Sequence, residues 1–92
     1  MMDLQELRGR IDEIDNNLVV LFQKRMDVSA EIAIYKQKNN LPVHDPARER
    51  QMLHDLSGKV IKDRESYITA LYSLIFELSR AEQERIFNSE DI

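Results

Sequence analysis

The stretch DLQELRGRIDEIDNNLVVLFQKRMDVSAEIAIYKQKN, from Asp3 to Asn39, decides the fold. Its apolar residues recur at spacings of three and four, which is the period of one face of an α-helix. No proline interrupts it, and its one glycine, Gly9, lies near the start. The pattern therefore predicts a single long helix over about 3–39. The apolar positions are Leu4, Leu7, Ile11, Ile14, Leu18, Leu21, Val28, Ile32 and Tyr35.

A second helix is predicted over about 46–57. Asp45 is a good N-cap, and Pro46 then occupies the first helical position, where proline is well tolerated. Gly58 follows the last helical position and is typical of a helix end. The segment between the first two helices, NNLPVHDP, is rich in residues that favour turns.

A third helix is predicted over about 63–87, and strand signals are weak throughout. The sequence thus predicts an all-α fold of three helices in a single domain over 1–92. The apolar face of the third helix consists of Ile68, Leu71, Leu74, Ile75, Leu78 and Ile86.

The predicted first helix is too long for a globule of this size. It would extend ~55 Å at ~1.5 Å per residue, whereas a compact domain of this length is roughly 30 Å across. Its apolar face continues over the whole length and needs a cover. A second copy of the chain is the simplest cover, so we predict a homodimer with the long helices packed together. The alternative is a helix that bends or breaks near Gly9 in a monomeric bundle.

Composition excludes several classes of protein. The chain has 92 residues, no cysteine and a net charge of −4. Disulfides and thiol catalysis are therefore excluded, and the two isolated histidines argue against a metal site. The acidic balance argues against nucleic-acid binding. The N-terminus has no apolar signal region and no run is long enough to cross a membrane, so a cytoplasmic protein is expected.

Arg25 interrupts the apolar face of the first helix. Lys36, eleven residues later, lies within ~20° of the same face. A buried charge without a partner costs several kcal/mol, so an anion is expected to pair with Arg25. That anion is either a carboxylate from another helix or a bound ligand.

The other two predicted helices also carry polar residues that bear on function. Arg48 and Glu49 lie in the first turn of the second helix, and Ser79 and Gln83 share one face of the third. Taken alone, each pair is compatible with an ordinary surface position. Together with Arg25 they indicate a site for a small dianion that carries a hydroxyl, where positioning and electrostatics supply the catalysis.

These residues occur in motifs that resemble the all-helical, AroQ-type chorismate mutases. The matching fragments are LRGRIDEID (7–15), KR (24–25), Lys36, LPVHDPARE (41–49) and SRAEQ (79–83). The resemblance implies an intertwined homodimer whose long first helices span both subunits. It also implies the Claisen rearrangement of chorismate to prephenate, a step toward phenylalanine and tyrosine, without cofactor or metal.

The resemblance implies a role for each cationic and amide side chain. Arg8 would enter the partner subunit's site and bind a substrate carboxylate, while Arg25 would bind carboxylate within its own chain. Lys36 and Gln83 would donate hydrogen bonds to the ether oxygen, and Lys36 would also contact a neighbouring carboxylate. Ser79 would help to hold a carboxylate.

The resemblance assigns the remaining positions to the ring of the substrate. Glu49 would accept a hydrogen bond from the ring hydroxyl, with Asp45 nearby and Arg48 orienting the cluster. Ile32 and Met52 would form apolar walls.

Two other functions stay open at this point. An isochorismate pyruvate-lyase on the same fold would use a similar cationic pocket, although Glu49 and Ser79 favour the mutase. A non-catalytic dimeric helical module that partners another enzyme would not need the complete set of site residues. Since the chain ends soon after the third helix, a monofunctional enzyme is expected.

Overall fold

The computed structural model describes residues 3–89. Within that range the chain forms three α-helices, α1 (Leu4–Lys38), α2 (Pro46–Ser57) and α3 (Glu65–Phe87), and no strand. A single 3-10 turn (Lys62–Arg64) leads directly into α3. None of these helices is both long and apolar enough to cross a membrane. The prediction of an all-α fold with a very long first helix is confirmed.

Local sequence signals account for where the helices begin. The Asp3 carboxylate accepts a hydrogen bond from the backbone N–H of Glu6 at 2.8 Å, and Asp45 accepts one from the backbone N–H of Arg48 at 3.2 Å. Both are N-cap interactions that satisfy otherwise unpaired backbone donors. α3 lacks such a cap and instead begins at Glu65, after the 3-10 turn. The apolar pattern does not distinguish this turn from the first turn of an α-helix.

α1 is continuous through Gly9, and the alternative of a broken first helix is wrong. Its 35 residues give the chain an elongated shape with extents of 57 × 29 × 14 Å. The radius of gyration is 16.8 Å, whereas ~12 Å is expected for a compact domain of this length.

The interior of a single chain is small and lies at one end of α1. α3 packs against the C-terminal half of α1, and α2 packs against α3. Ala33 and Phe76 are the buried apolar residues among those that the structure describes. The apolar face of the N-terminal half of α1 is exposed in one chain, with Ile14 53% and Leu18 55% accessible. We call this face the uncovered seam; it comprises Leu4, Leu7, Ile11, Ile14, Leu18 and Leu21.

Candidate active site

A pocket lies where the C-terminal halves of α1 and α3 meet the beginning of α2. Its volume is about 440 Å³, which falls within the range of ~300–1,000 Å³ that is usual for small-molecule sites. Three separate helices and the loop between α1 and α2 contribute to its wall. The lining residues are Arg25, Val28, Ser29, Ile32, Lys36, Val43, Asp45, Arg48, Glu49, Met52, Phe76, Ser79, Arg80 and Gln83.

The pocket brings together all but one of the site residues predicted from the sequence. Arg8 is the exception, since it is exposed on α1 and does not line the pocket of its own chain. Sequence reasoning did not select Arg80, although this residue lies between Ser79 and Gln83 in the SRAEQ motif. The predicted residues that line the pocket are Arg25, Ile32, Lys36, Asp45, Arg48, Glu49, Met52, Ser79 and Gln83.

Arg25 reaches across from α1 to α3. Its Nη1 atom donates a hydrogen bond to Ser79 Oγ, and its guanidinium carbon lies 5.8 Å from the centre of the Phe76 ring and 6.0 Å from that of Tyr72. Aromatic faces attract a cation at this range. No carboxylate among residues 3–89 of the same chain forms an ion pair with Arg25, so within this range the alternative of a carboxylate from another helix has no support. The guanidinium of Arg25 therefore has N–H donors and a positive charge available to bind an anionic ligand.

Lys36 connects the end of α1 to the loop that precedes α2. Its Nζ atom donates a hydrogen bond to the Val43 carbonyl oxygen at 2.8 Å, and the side chain is half-buried. An ammonium group has three donors. The contact with Val43 thus fixes the position of the lysine and leaves further donors for the pocket.

Ser79 and Gln83 are buried, at 6% and 9% exposure, so the alternative that they are surface residues is wrong. Gln83 Oε1 is buried and has no hydrogen-bond partner among the residues that the structure describes. Buried amide groups in folded proteins are nearly always hydrogen-bonded. This oxygen, at the wall of the pocket, is therefore able to accept a hydrogen bond from a polar ligand.

Glu49 forms an ion pair with Arg80, which links α2 to α3. The Arg80 Nη1 atom lies 2.6 Å from each carboxylate oxygen of Glu49. Both side chains are part-buried, at 30% and 23% exposure. The side chain of Arg48 also lines the pocket, but the contact that orients Glu49 in a single chain comes from Arg80.

The pocket is positively charged although the protein is acidic. The chain carries a net charge of −4, while the lining has four cationic side chains and two carboxylates. Low-dielectric walls strengthen the field of such a cluster within a cleft. The excess of two positive charges matches a ligand with two negative charges. The cations are Arg25, Lys36, Arg48 and Arg80, and the carboxylates are Asp45 and Glu49.

Comparisons with known proteins show which family the chain belongs to. The chain is 40% identical over 88 residues to a bifunctional chorismate mutase/prephenate dehydratase of Buchnera aphidicola subsp. Schizaphis graminum, which covers 94% of this chain and 23% of that protein. It is 29% identical over 85 residues to a chorismate mutase of Methanocaldococcus jannaschii, covering 89% of this chain and 85% of the relative. It is 31% identical over 84 residues to a 4-amino-4-deoxychorismate mutase of Streptomyces venezuelae, covering 87% of this chain and 81% of the relative.

The bifunctional relatives are much longer than this chain, which spans 21–23% of the three from Buchnera. No solved structure matches the chain at a significant level. The family model described as chorismate mutase type II matches residues 7–84, which includes every residue that lines the pocket. The chain belongs to the chorismate mutase type II family.

Proposed function

We propose that this chain forms one chorismate mutase domain that converts chorismate to prephenate. The observation that carries the proposal is the convergence, in one pocket, of cations from three helices with a buried amide and a carboxylate. The rearrangement is unimolecular, so the protein must hold one reactive conformer and stabilise the charge that develops. The pocket offers groups for both tasks.

The two substrate carboxylates are the first requirement. Arg25 would bind one of them within its own chain, because its guanidinium is held by Ser79 and two aromatic faces but has no acidic partner within residues 3–89. A planar guanidinium fixes a carboxylate in one orientation through paired hydrogen bonds. Clamping both carboxylates would hold the extended substrate in the compact conformer that reacts.

The ether oxygen is the second requirement, since negative charge develops there as the C–O bond breaks. Lys36 and Gln83 would donate hydrogen bonds to this oxygen from α1 and α3. Donors that strengthen as charge develops stabilise the transition state more than the ground state. Glu49 would accept a hydrogen bond from the ring hydroxyl, and Ile32 and Met52 would pack against the ring.

We further propose that the active form is a homodimer in which the uncovered seams of two chains pack together. The seam presents a row of large apolar residues that neither α2 nor α3 covers in a single chain. Burial of apolar surface contributes ~25 cal/mol per Å², so a row of this length favours association strongly. Arg8 lies on this half of α1 and would enter the pocket of the partner subunit.

The proposed mutase activity is tested by identifying the products that the protein forms from chorismate and from isochorismate. Purified protein is incubated separately with chorismate and with isochorismate, and products are separated by chromatography. We expect prephenate from chorismate and no accelerated release of pyruvate from isochorismate. Pyruvate and salicylate from isochorismate, without prephenate from chorismate, would establish the lyase instead. No conversion of either substrate would contradict both activities and favour a non-catalytic module.

Replacement of Gln83 by glutamate is expected to give an enzyme that is more active at acid pH than at neutral pH. The amide of Gln83 donates at any pH, whereas a carboxyl donates only when it is protonated. The protonated fraction rises as pH falls, so kcat of Gln83→Glu should rise between pH 7 and pH 5. Chorismate loss is followed across this range for the variant and the wild type. Equal activity of the variant at both pH values would contradict the proposed role of Gln83.

Replacement of Ile14 by arginine in the uncovered seam is expected to produce an inactive monomer. The substitution places a charge at the centre of the proposed interface, where desolvation costs several kcal/mol. Asn16→Arg is the matched control, because Asn16 lies about 200° around α1 from Ile14. Light scattering after size-exclusion chromatography should give twice the chain mass of 10.9 kDa for the wild type and the control. An Ile14→Arg protein that remains dimeric and active would exclude this interface.

A further inference from the structure

The ion pair between Arg80 and Glu49 combines two features that an ordinary surface pair lacks. Both carboxylate oxygens of Glu49 lie 2.6 Å from a single nitrogen of Arg80, and both residues line the pocket. Arg80 follows Ser79 directly and lies three residues before Gln83, so it shares the pocket-facing side of α3. The pair is therefore part of the wall that a ligand would contact.

A second ion pair on α3 provides a comparison. Arg85 and Glu82 are three residues apart on the helix, and the Arg85 side chain is 68% exposed. Its hydrogen bond lowers the pKa of the Glu82 carboxyl, but neither residue lines the pocket. Arg85 is thus a matched arginine for experiments: it lies on the same helix and pairs with a carboxylate, but it does not line the pocket.

We propose that Arg80 is a positioning and specificity-determining residue that makes the pocket prefer a ring hydroxyl to a ring amine. The inference rests on the proposed function, in which Glu49 accepts a hydrogen bond from the ring hydroxyl. Arg80 would hold the Glu49 carboxylate in one orientation and offset its negative charge. The compound that distinguishes the two groups is 4-amino-4-deoxychorismate, in which an amine replaces the hydroxyl of chorismate.

Arg80 can position the Glu49 carboxylate without blocking it, because a carboxylate has more acceptor sites than this contact uses. Each oxygen has two acceptor sites, and the contact with Arg80 uses one on each oxygen. The remaining sites can still accept from a neutral hydroxyl, and the short contacts with Arg80 restrict the rotation of the carboxylate. A hydroxyl needs mainly a correctly placed acceptor, so the ion pair weakens its recognition far less than that of a cation.

The preference for a hydroxyl over an amine would come from the positive charge of Arg80. An aliphatic amine of ordinary pKa is protonated at neutral pH, so it gains most from a carboxylate whose charge is not offset. The guanidinium of Arg80 stays charged at all physiological pH values, and it repels an ammonium group placed against Glu49. Two like charges a few ångströms apart repel more strongly at a part-buried site than in bulk water, because the effective dielectric constant is lower there. The offset therefore penalises the amine, which carries a full positive charge, much more than it penalises the neutral hydroxyl.

The test compares kcat/KM for chorismate with kcat/KM for 4-amino-4-deoxychorismate in four proteins. The wild type should prefer chorismate. Arg80→Gln keeps a neutral donor near Glu49 but removes the charge, and we expect the preference to shift by about tenfold toward the amine. Arg80→Lys retains the charge and should retain most of the preference. Arg85→Gln should leave the preference unchanged.

Replacing Glu49, the ion-pair partner of Arg80, tests the same electrostatic effect in a protein whose Arg80 is unchanged. Glu49→Gln removes a negative charge and leaves Arg80 unopposed, so the preference should move in the opposite direction, further toward chorismate. Circular dichroism of each variant verifies that it is folded. A shift toward the amine in Glu49→Gln would overturn the inference.

Different results would contradict the proposed role of Arg80 and the proposed mutase activity. If the wild type rearranges chorismate but Arg80→Gln loses kcat/KM equally for both substrates, the ion pair only joins α2 to α3 and the inference is wrong. In that case a lower melting temperature should accompany an unchanged preference. If the wild type rearranges neither substrate, the proposed function is wrong and the inference falls with it.

Discussion

Replacing Lys36 with methionine is expected to lower kcat for chorismate by about 10²–10³-fold, which is typical for the loss of one donor to a developing oxyanion. Methionine has a similar length but no charge and no donor. Because the proposed hydrogen bond strengthens as the C–O bond breaks, its loss should reduce kcat more than it raises KM. The measurement is a steady-state analysis of chorismate loss over a range of substrate concentrations.

Lys38→Met is the matched control for this prediction. Lys38 lies in the same last turn of α1 but is exposed and does not line the pocket. Since Lys36 also donates to the Val43 carbonyl, the melting temperature of both variants is measured to separate catalysis from folding. A Lys36→Met enzyme with kcat within a few-fold of the wild type would remove Lys36 from the reaction.

Two inactive variants are expected to regain activity when they are combined. Arg8→Ala and Arg25→Ala should each lack nearly all activity, because each removes a clamp on a substrate carboxylate. If every site takes Arg25 from its own chain and Arg8 from the partner, a mixed dimer contains one doubly altered site and one intact site. Random pairing of equal amounts should therefore restore about a quarter of the wild-type activity.

The test of this shared site is to unfold the two variants together, refold them as a mixture and assay chorismate loss. A mixture of Arg25→Ala with Lys36→Met is the control, because both residues come from the same chain of each site. Every mixed dimer then has two defective sites, and no activity should return. Failure of the first mixture to recover activity, under conditions in which wild-type protein refolds, would contradict the exchange of Arg8 between subunits.

The sequence is sufficient to predict the long helix because its signals are local and agree with one another. Apolar spacing and the absence of proline both favour α-helix over the same stretch, and the structure adds the N-cap at Asp3. Arg25 is equally conspicuous, since a charge on an apolar face demands a partner. The structure adds that, within residues 3–89, Arg25 contacts a hydroxyl and two aromatic rings and forms no ion pair with a carboxylate.

Contacts between distant segments are what the sequence alone does not reveal. Arg80 pairs with Glu49, 31 residues away, and only the packing of α3 on α2 brings them together. On its own turn of α3, Arg80 is indistinguishable from an exposed arginine such as Arg85. The hydrogen bond from Lys36 to the Val43 carbonyl depends on the path of a loop backbone. Side-chain type does not determine that path.

The loss of chorismate, followed by its ultraviolet absorbance, is the most direct test of the central claim that this pocket is a chorismate mutase site. Wild-type protein and Arg25→Ala are assayed side by side, and prephenate is identified as the product. The account predicts rapid conversion by the wild type and a rate close to the spontaneous one for Arg25→Ala. A wild-type rate no higher than the spontaneous one, or full activity in Arg25→Ala, would contradict it.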